Sequence, residues 1–309
     1  KYNFTEYKNS NPKEILKRNL FKKNNGIFLW NKIQGSIYGR QIKNATIAPG
    51  FKSFLILAKY LKHEVFIISH KTKYGHFDKK KFNLRTEAIK WMDKNNLFLK
   101  NNLLIKKKNI FFCNTKKEKI DKLNSLHLDY FVDDLLKILI DKTLTNKTNK
   151  IFFNRFNSRI KNNYLISLSN WSIISNHIHK VSDKKRRKIL CSSLISKKIK
   201  SFRKYRVNGN SNIYKLRDIN NKFFIAKFFP NNNYDNNRIK NEIKAINFLK
   251  NKLNTPKIVK FSLDENIVIY NFIDGSKLSF ENVYGFINII KKLKKISSGL
   301  KYNSYTPAV

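Results

Sequence analysis

Apolar positions change their period several times along this chain, and each change marks an element. Phe51, Phe54, Leu55, Leu57, Ala58 and Leu61 recur at helical spacing directly after Pro49-Gly50, predicting a helix over 51–62. Val65-Phe66-Ile67-Ile68 is a short apolar run and predicts a buried strand. A second helix is predicted over Leu84–Met92, a strand over Asn109–Cys113, a helix over Lys116–Ser125 and a strand over Tyr130–Val132. Strands that are apolar throughout and alternate with helices indicate an α/β unit with an open parallel sheet covered on both faces. Ligands of such sheets bind beyond the strand C-termini.

Residues 141 to 200 carry weaker signals. Ile151-Phe152-Phe153 reads as a further strand, and Trp171, Ile173, Ile174 and Ile178 make a weak helical face. His177 and His179 are two apart, which does not place them on one helix face, so no metal is assigned to them. Beyond Ser201 the pattern becomes strand-rich. Tyr205-Arg206-Val207 and Ile213–Leu216 flank a turn at Gly209, Arg217–Asn221 makes a hairpin connection, and Phe223–Phe229 is a third strand. Ile239, Ile243, Ile246 and Leu249 form a helical stripe, and Ile258-Val259 and Ile267–Tyr270 give two more strands. This second unit is α+β, with an antiparallel sheet and one main helix. The expected division is 1–142, a helical connector over 143–200, and 201–309.

Composition narrows the classes. The 309 residues are enough for two domains, and a hydrophobic content of 41% is globular. No run of about 18 apolar residues exists to cross a membrane. Cys113 and Cys191 lack metal-type spacing, so a reduced, cytoplasmic setting is expected. The chain begins with Lys1, which leads us to expect a piece of a longer protein. A net charge of +45 invites a polyanion partner, with Lys184–Lys188 and Lys197, Lys198 and Lys200 as the local basic zone. Against that reading, Lys outnumbers Arg 54 to 11 and the charge is spread along the chain. Bidentate phosphate and base readers favour Arg.

Polar groups gather at the predicted strand ends of the first unit. Ser69 follows one strand, Asp133-Asp134 follow another, and Lys119 lies in the helix between the last two strands, with Lys116 as its nearest competitor. A hydroxyl, an ammonium and paired carboxylates suit a phosphoryl group with Mg2+. The plainer alternatives are a strand-ending serine and an Asp134 helix cap. The run from Ala48-Pro49-Gly50 through Ile67-Ile68-Ser69 and Thr115–Ile120 to Tyr130–Leu135 resembles the second half of haloacid dehalogenase-like phosphohydrolases, which have a Rossmann-like sheet. The resemblance implies that Ser69 and Lys119 bind phosphate and that Asp133 and Asp134 are the metal-side acids. The family's nucleophilic Asp-x-Asp is missing from residues 1 to 47. His70, Lys71, Tyr74, Gly75 and Asp78 are candidates for a substrate pocket, or simply a polar loop.

In the second unit Lys227 ends a β-rich run, and Glu242 follows fifteen residues later inside the helical stripe, in a chain poor in acids. A lysine on an apolar strand needs a partner when desolvated. Gly209-Asn210-Ser211-Asn212, Phe224-Ile225-Ala226-Lys227, Asn241-Glu242-Ile243 and Ile269–Gly275 together resemble the small lobe of aminoglycoside phosphotransferase and choline-kinase-like enzymes. On that resemblance Lys227 contacts ATP phosphates and Glu242 pairs with it. Gly209, Ser211 and Asn212 cover the phosphates, and Tyr270 to Phe272 border adenine. No His-x-Asp with a downstream Asn follows Gly275, so the chain by itself is expected to transfer nothing.

The resulting expectation is part of a two-part phosphoryl-handling enzyme that uses ATP and Mg2+. It would act on a small-molecule hydroxyl and on a phosphate ester. The alternative is a non-catalytic basic protein that binds nucleic acid or another polyanion.

Overall fold

The computed structural model describes residues 12–75, 81–98, 104–156, 165–205, 212–230, 235–275 and 283–297. Two helices, α1 (Pro12–Phe21) and α2 (Gly26–Tyr38), precede α3 (Phe51–Tyr60). Gly50 starts α3 at φ +80°, and a Cβ there would sit 3.0 Å from the Ser172 hydroxyl, so both conformation and space call for glycine. The α/β part then runs β1 (Ile67–His70), α4 (Leu84–Lys94), β2 (Ile110–Cys113), α5 (Lys116–Ser125), β3 (Tyr130–Asp133), α6 (Leu136–Leu139), β4 (Asn149–Phe153), β5 (Ile166–Leu168), α7 (Trp171–His179) and α8 (Asp183–Ile195).

Helix starts follow local chemistry. The Asn83 side chain accepts from the Arg85 and Thr86 N–H groups to open α4. At α5, Thr115 accepts from Glu118 N–H while Glu118 accepts from Asn114 N–H, so the two side chains together satisfy the helix entry.

The parallel strands do not form one sheet. β1 pairs with β2, while β3, β4 and β5 form a separate parallel sheet, so the single open sheet is corrected to two. The two sheets nonetheless share core layers. Ile67 and Ile110 pack in one cluster with Tyr130, Val132 and Ile151, and Ile68 packs with Phe131, Phe152, Ile120 and Leu123 in another. α5 packs on β1 as well as β2, so the chain leaving β2 turns back over β1 before it enters β3. Apolar runs reveal strands but not which neighbours pair, and here that difference decided the topology.

β1 also starts two residues later than expected, which puts Ser69 inside the strand. Asn109 Nδ2 donates to Val65 O at 3.1 Å, so a side chain takes the carbonyl ahead of the ladder, which begins at Ile67 opposite Ile110. The strand expected at Ile151–Phe153 is β4 (Asn149–Phe153), and 166–168, expected only as part of a helical connector, form the further strand β5.

The remaining elements are β6 (Ile199–Lys204), β7 (Asn212–Asp218), β8 (Phe223–Phe228), α9 (Asp235–Leu249), β9 (Ile258–Ser262), β10 (Ile267–Asn271) and α10 (Val283–Ser297). Their sheet is antiparallel, in the order β6-β7-β8-β10-β9. The first strand lies upstream of the expected Tyr205–Val207, of which residues 206 and 207 fall outside the described residues. A bulge between Ile199 and Ser201 spaces the two buried residues, Ile199 and Phe202, by three, and this conceals the strand's period of two.

Period-two alternation gives the sheet two apolar faces. Phe224, Ala226, Phe228, Ile267 and Ile269 meet Leu190, Cys191 and Ile195 of α8. Ile225, Val268 and Tyr270 meet Ile239, Ile243 and Ile246 of α9. Lys227 has the same parity as Ile225 and thus shares the α9 face.

Candidate functional site

The α9 face of this sheet carries one charged constellation. Lys227 lies next to the end of β8, opposite Ile213 of β7 and Val268 of β10. Its Nζ donates to Glu242 Oε2 at 2.6 Å, and both side chains are about three-quarters shielded from water, at 23% and 24% exposure. The ammonium also stands 4.7 Å from the Phe229 ring centroid. Tyr270 O–H donates to the other carboxylate oxygen, Oε1, at 2.5 Å. Burial, and then the Glu242 carboxylate that accepts its hydrogen bond, raise the Tyr270 phenol above its ordinary pKa, so it remains a protonated donor.

Asn212 opens β7, and Tyr205 N–H donates to Ile213 O at 2.8 Å, just beyond the β6–β7 ladder. Gly209 and Ser211 lie outside the described residues. Phe272 extends the ladder past β10, with its N–H donating to Phe223 O at 3.3 Å. The Lys215 ammonium sits 3.7 Å from the Phe272 ring centroid. Sequence reasoning missed Lys215 and the hydroxyl role of Tyr270. The available signal was parity: Ile213 and Lys215 alternate with the buried Tyr214 and Leu216.

In the α/β part, Lys119 and Asp133 form an ion pair in which the side chains are only 6% and 8% exposed. Asp133 Oδ1 also accepts from Leu135 N–H at 2.8 Å. Burial pushes the Asp133 carboxyl up, against the lowering pull of Lys119. Lys116 pairs instead with Asp141, at 2.5 Å. Ser69 stands on the other sheet, opposite Phe112, and Asp134 is exposed, so only Lys119 and Asp133 of this set are in contact. The cap expected of Asp134 is not made: α6 has Leu135 at its N-cap and no side-chain cap hydrogen bond, and the Asp133 bond to Leu135 N–H lies ahead of the helix.

Of the pocket candidates, His70 Nε2 lies 2.9 Å from Asn114 O, the Lys71 ammonium is 4.5 Å from the Tyr38 ring centroid, and Tyr74 bridges to Asn83. Asp78 lies outside the described residues. His179 is buried, with Nε2 3.1 Å from Phe54 O, and burial lowers its pKa to about 4. Within the basic zone, Arg187 is committed inward: it donates to Tyr214 Oη at 3.2 Å and lies 5.0 Å from the Phe228 ring centroid.

Known proteins resemble the chain only in part. No protein-family model matches the chain, and no curated protein matches it. Among solved structures, it is similar to a Plasmodium vivax ethanolamine kinase over 40% of this chain and 36% of that one, at 22% identity and a TM-score of 0.30. It is also similar to a protein described as a fructosamine-3-kinase, from Thermobifida fusca, over 30% of this chain and 32% of that one, at 9% identity and a TM-score of 0.25. The chain thus spans about a third of each.

Proposed function

We propose that residues 199–275 form the nucleotide-binding lobe of a kinase-type small-molecule phosphotransferase. The observation that carries this reading is the Lys227–Glu242 pair, which joins β8 to α9 in a five-stranded sheet of order β6-β7-β8-β10-β9. An ammonium has three N–H donors. One meets Glu242, leaving two for phosphate oxygens, and the carboxylate fixes the direction in which they point. Gly209, Ser211 and Asn212 in and beside the β6–β7 connection would cover those oxygens, and Tyr270 to Phe272 would border the base. The acceptor would be a small-molecule hydroxyl.

For the first part of the chain we propose a phosphate-ester hydrolase-like unit over 1–142 in which Ser69 and Lys119 recognise phosphate. Its acids do not fit a Mg2+ site as they stand. The Asp133 carboxylate is taken by Lys119 and Leu135 N–H, and Asp134 is exposed. Among the described residues no group of three or more His, Cys, Asp or Glu could hold a metal. Mg2+ therefore enters this proposal only with the nucleotide phosphates.

Titration of the full chain with ATP in the presence of Mg2+ tests the kinase-type reading. Saturable binding that Lys227→Met abolishes is expected. Binding that Lys227→Met leaves intact, or none in the wild type, overturns it. Tight binding to a generic polyanion, lost steeply with salt, would favour the basic-protein alternative.

A further inference from the structure

We infer that Tyr270 is a positioning residue for the Lys227–Glu242 pair, acting as a second anchor for the carboxylate and fixing the direction of the Lys227 ammonium. The inference deepens the nucleotide-binding reading and rests on it for its consequence, but its geometry stands alone. Glu242 is held at both oxygens, Oε2 by Lys227 of β8 and Oε1 by Tyr270 of β10. β8 and β10 are adjacent antiparallel strands, with Tyr270 opposite Ile225 and Val268 opposite Lys227. One helical carboxylate therefore bridges two neighbouring strands, and α9 is tied to the sheet at two points rather than one.

The chemistry explains the choice of a phenol. Held by lysine alone, a carboxylate can rotate and swing with its helix, carrying the ammonium along. A second basic anchor would compete with Lys227 for the negative charge. A neutral O–H donor fixes the free oxygen while leaving the full charge to pair with Lys227. The ring supporting that hydroxyl is 5% exposed and packs with Ile239, Phe229 and Val268, so the donor is itself held rigidly. The sequence placed Tyr270 only beside adenine; the structure gives its hydroxyl a separate task.

Tyr270→Phe in the full chain keeps the ring and removes the anchor. The first arm needs no nucleotide: the rate of reductive methylation of Lys227, read by mass spectrometry. A rise of about threefold or more is expected from the freed pair, by analogy with the coupling of hydrogen-bonded neighbours, with the methylation of Lys150 as an internal control. An unchanged Lys227 rate overturns the inference. A rise at both lysines would reveal general loosening and also overturn it.

The second arm compares ATP with adenosine. ATP affinity should fall about three- to tenfold, the range of one charge-assisted hydrogen bond, while adenosine affinity holds. In a Glu242→Gln background the same substitution should change ATP affinity little. Equal losses for ATP and adenosine would make Tyr270 a wall of the base site and overturn the positioning role. If the wild type binds no ATP, the proposed function fails while the methylation arm still decides whether Tyr270 anchors the pair.

Discussion

Replacing Lys119 with Met leaves the Asp133 carboxylate without its counter-ion at a site where that side chain is 8% exposed. Removing one partner of a buried pair costs about 3–5 kcal/mol, because the surviving charge is stranded in a poorly solvating interior. The Leu135 N–H bond remains and offsets part of this, so we expect the lower end, about 3 kcal/mol. With a urea dependence of about 1–3 kcal/mol/M, the midpoint should fall by roughly 1–3 M. Trp30, Trp91 and Trp171 are the chain's three tryptophans, and all precede α8, so indole fluorescence reports this half of the molecule. The pH dependence supplies a second signature. In the variant, the folded-state pKa of Asp133 is raised above its unfolded value, so the protonated form favours folding. Stability should therefore be regained as pH falls from 7 toward 4, and lost again as pH rises through the folded pKa. A midpoint shift below about 0.3 M, or a loss that acid does not relieve, would refute the stranded-charge account.

The buried His179, with its pKa lowered to about 4, predicts the opposite slope. Its folded pKa lies below the unfolded 6.5, so its neutral form is the one the fold accepts. Stability is fully present above about pH 6.5 and declines by up to about 3 kcal/mol toward pH 4; thermal melts of His179→Gln should lose that part of the slope. Gly50→Ala, at φ +80° and 3.0 Å from the Ser172 hydroxyl, should cost about 1–2 kcal/mol, read as a lowered melting temperature. Lys227→Met should abolish the rise in melting temperature produced by ATP with Mg2+, whereas it should leave the indole-reported urea midpoint unchanged.

The antiparallel part was more legible in the sequence than the α/β part, for reasons that can be named. Lys227 and Glu242 stood out because acids are rare and one lay in a helical stripe after an apolar strand. Their contact at 2.6 Å follows from that order. The strand pairing in the first part was hidden, since β1 and β3 have the same kind of apolar run whether or not they share a ladder. α8 fell within the expected helical connector and basic zone, with no buried face assigned to it, because Lys184, Lys185, Arg186, Arg187 and Lys188 dominate its first half. Only its second half carries Ile189, Leu190, Cys191 and Ile195, too short a stretch for the helical period to show against five cations.

That short stretch sets where the second part of the chain begins as a foldable object. Leu190, Cys191 and Ile195 cover the sheet formed by β6, β7, β8 and β10, while α3 packs on the same helix and Ile56 reaches into the same cluster. A polypeptide starting at Ile199 would present Phe202, Tyr214, Leu216, Phe224 and Phe228 to water as a continuous apolar face and would self-associate. One starting at Ser182 would bring its own cover and its helix cap with it, since the Ser182 hydroxyl accepts from Lys185 N–H. The covalent boundary between the two parts thus lies a full helix earlier than the first strand of the lobe.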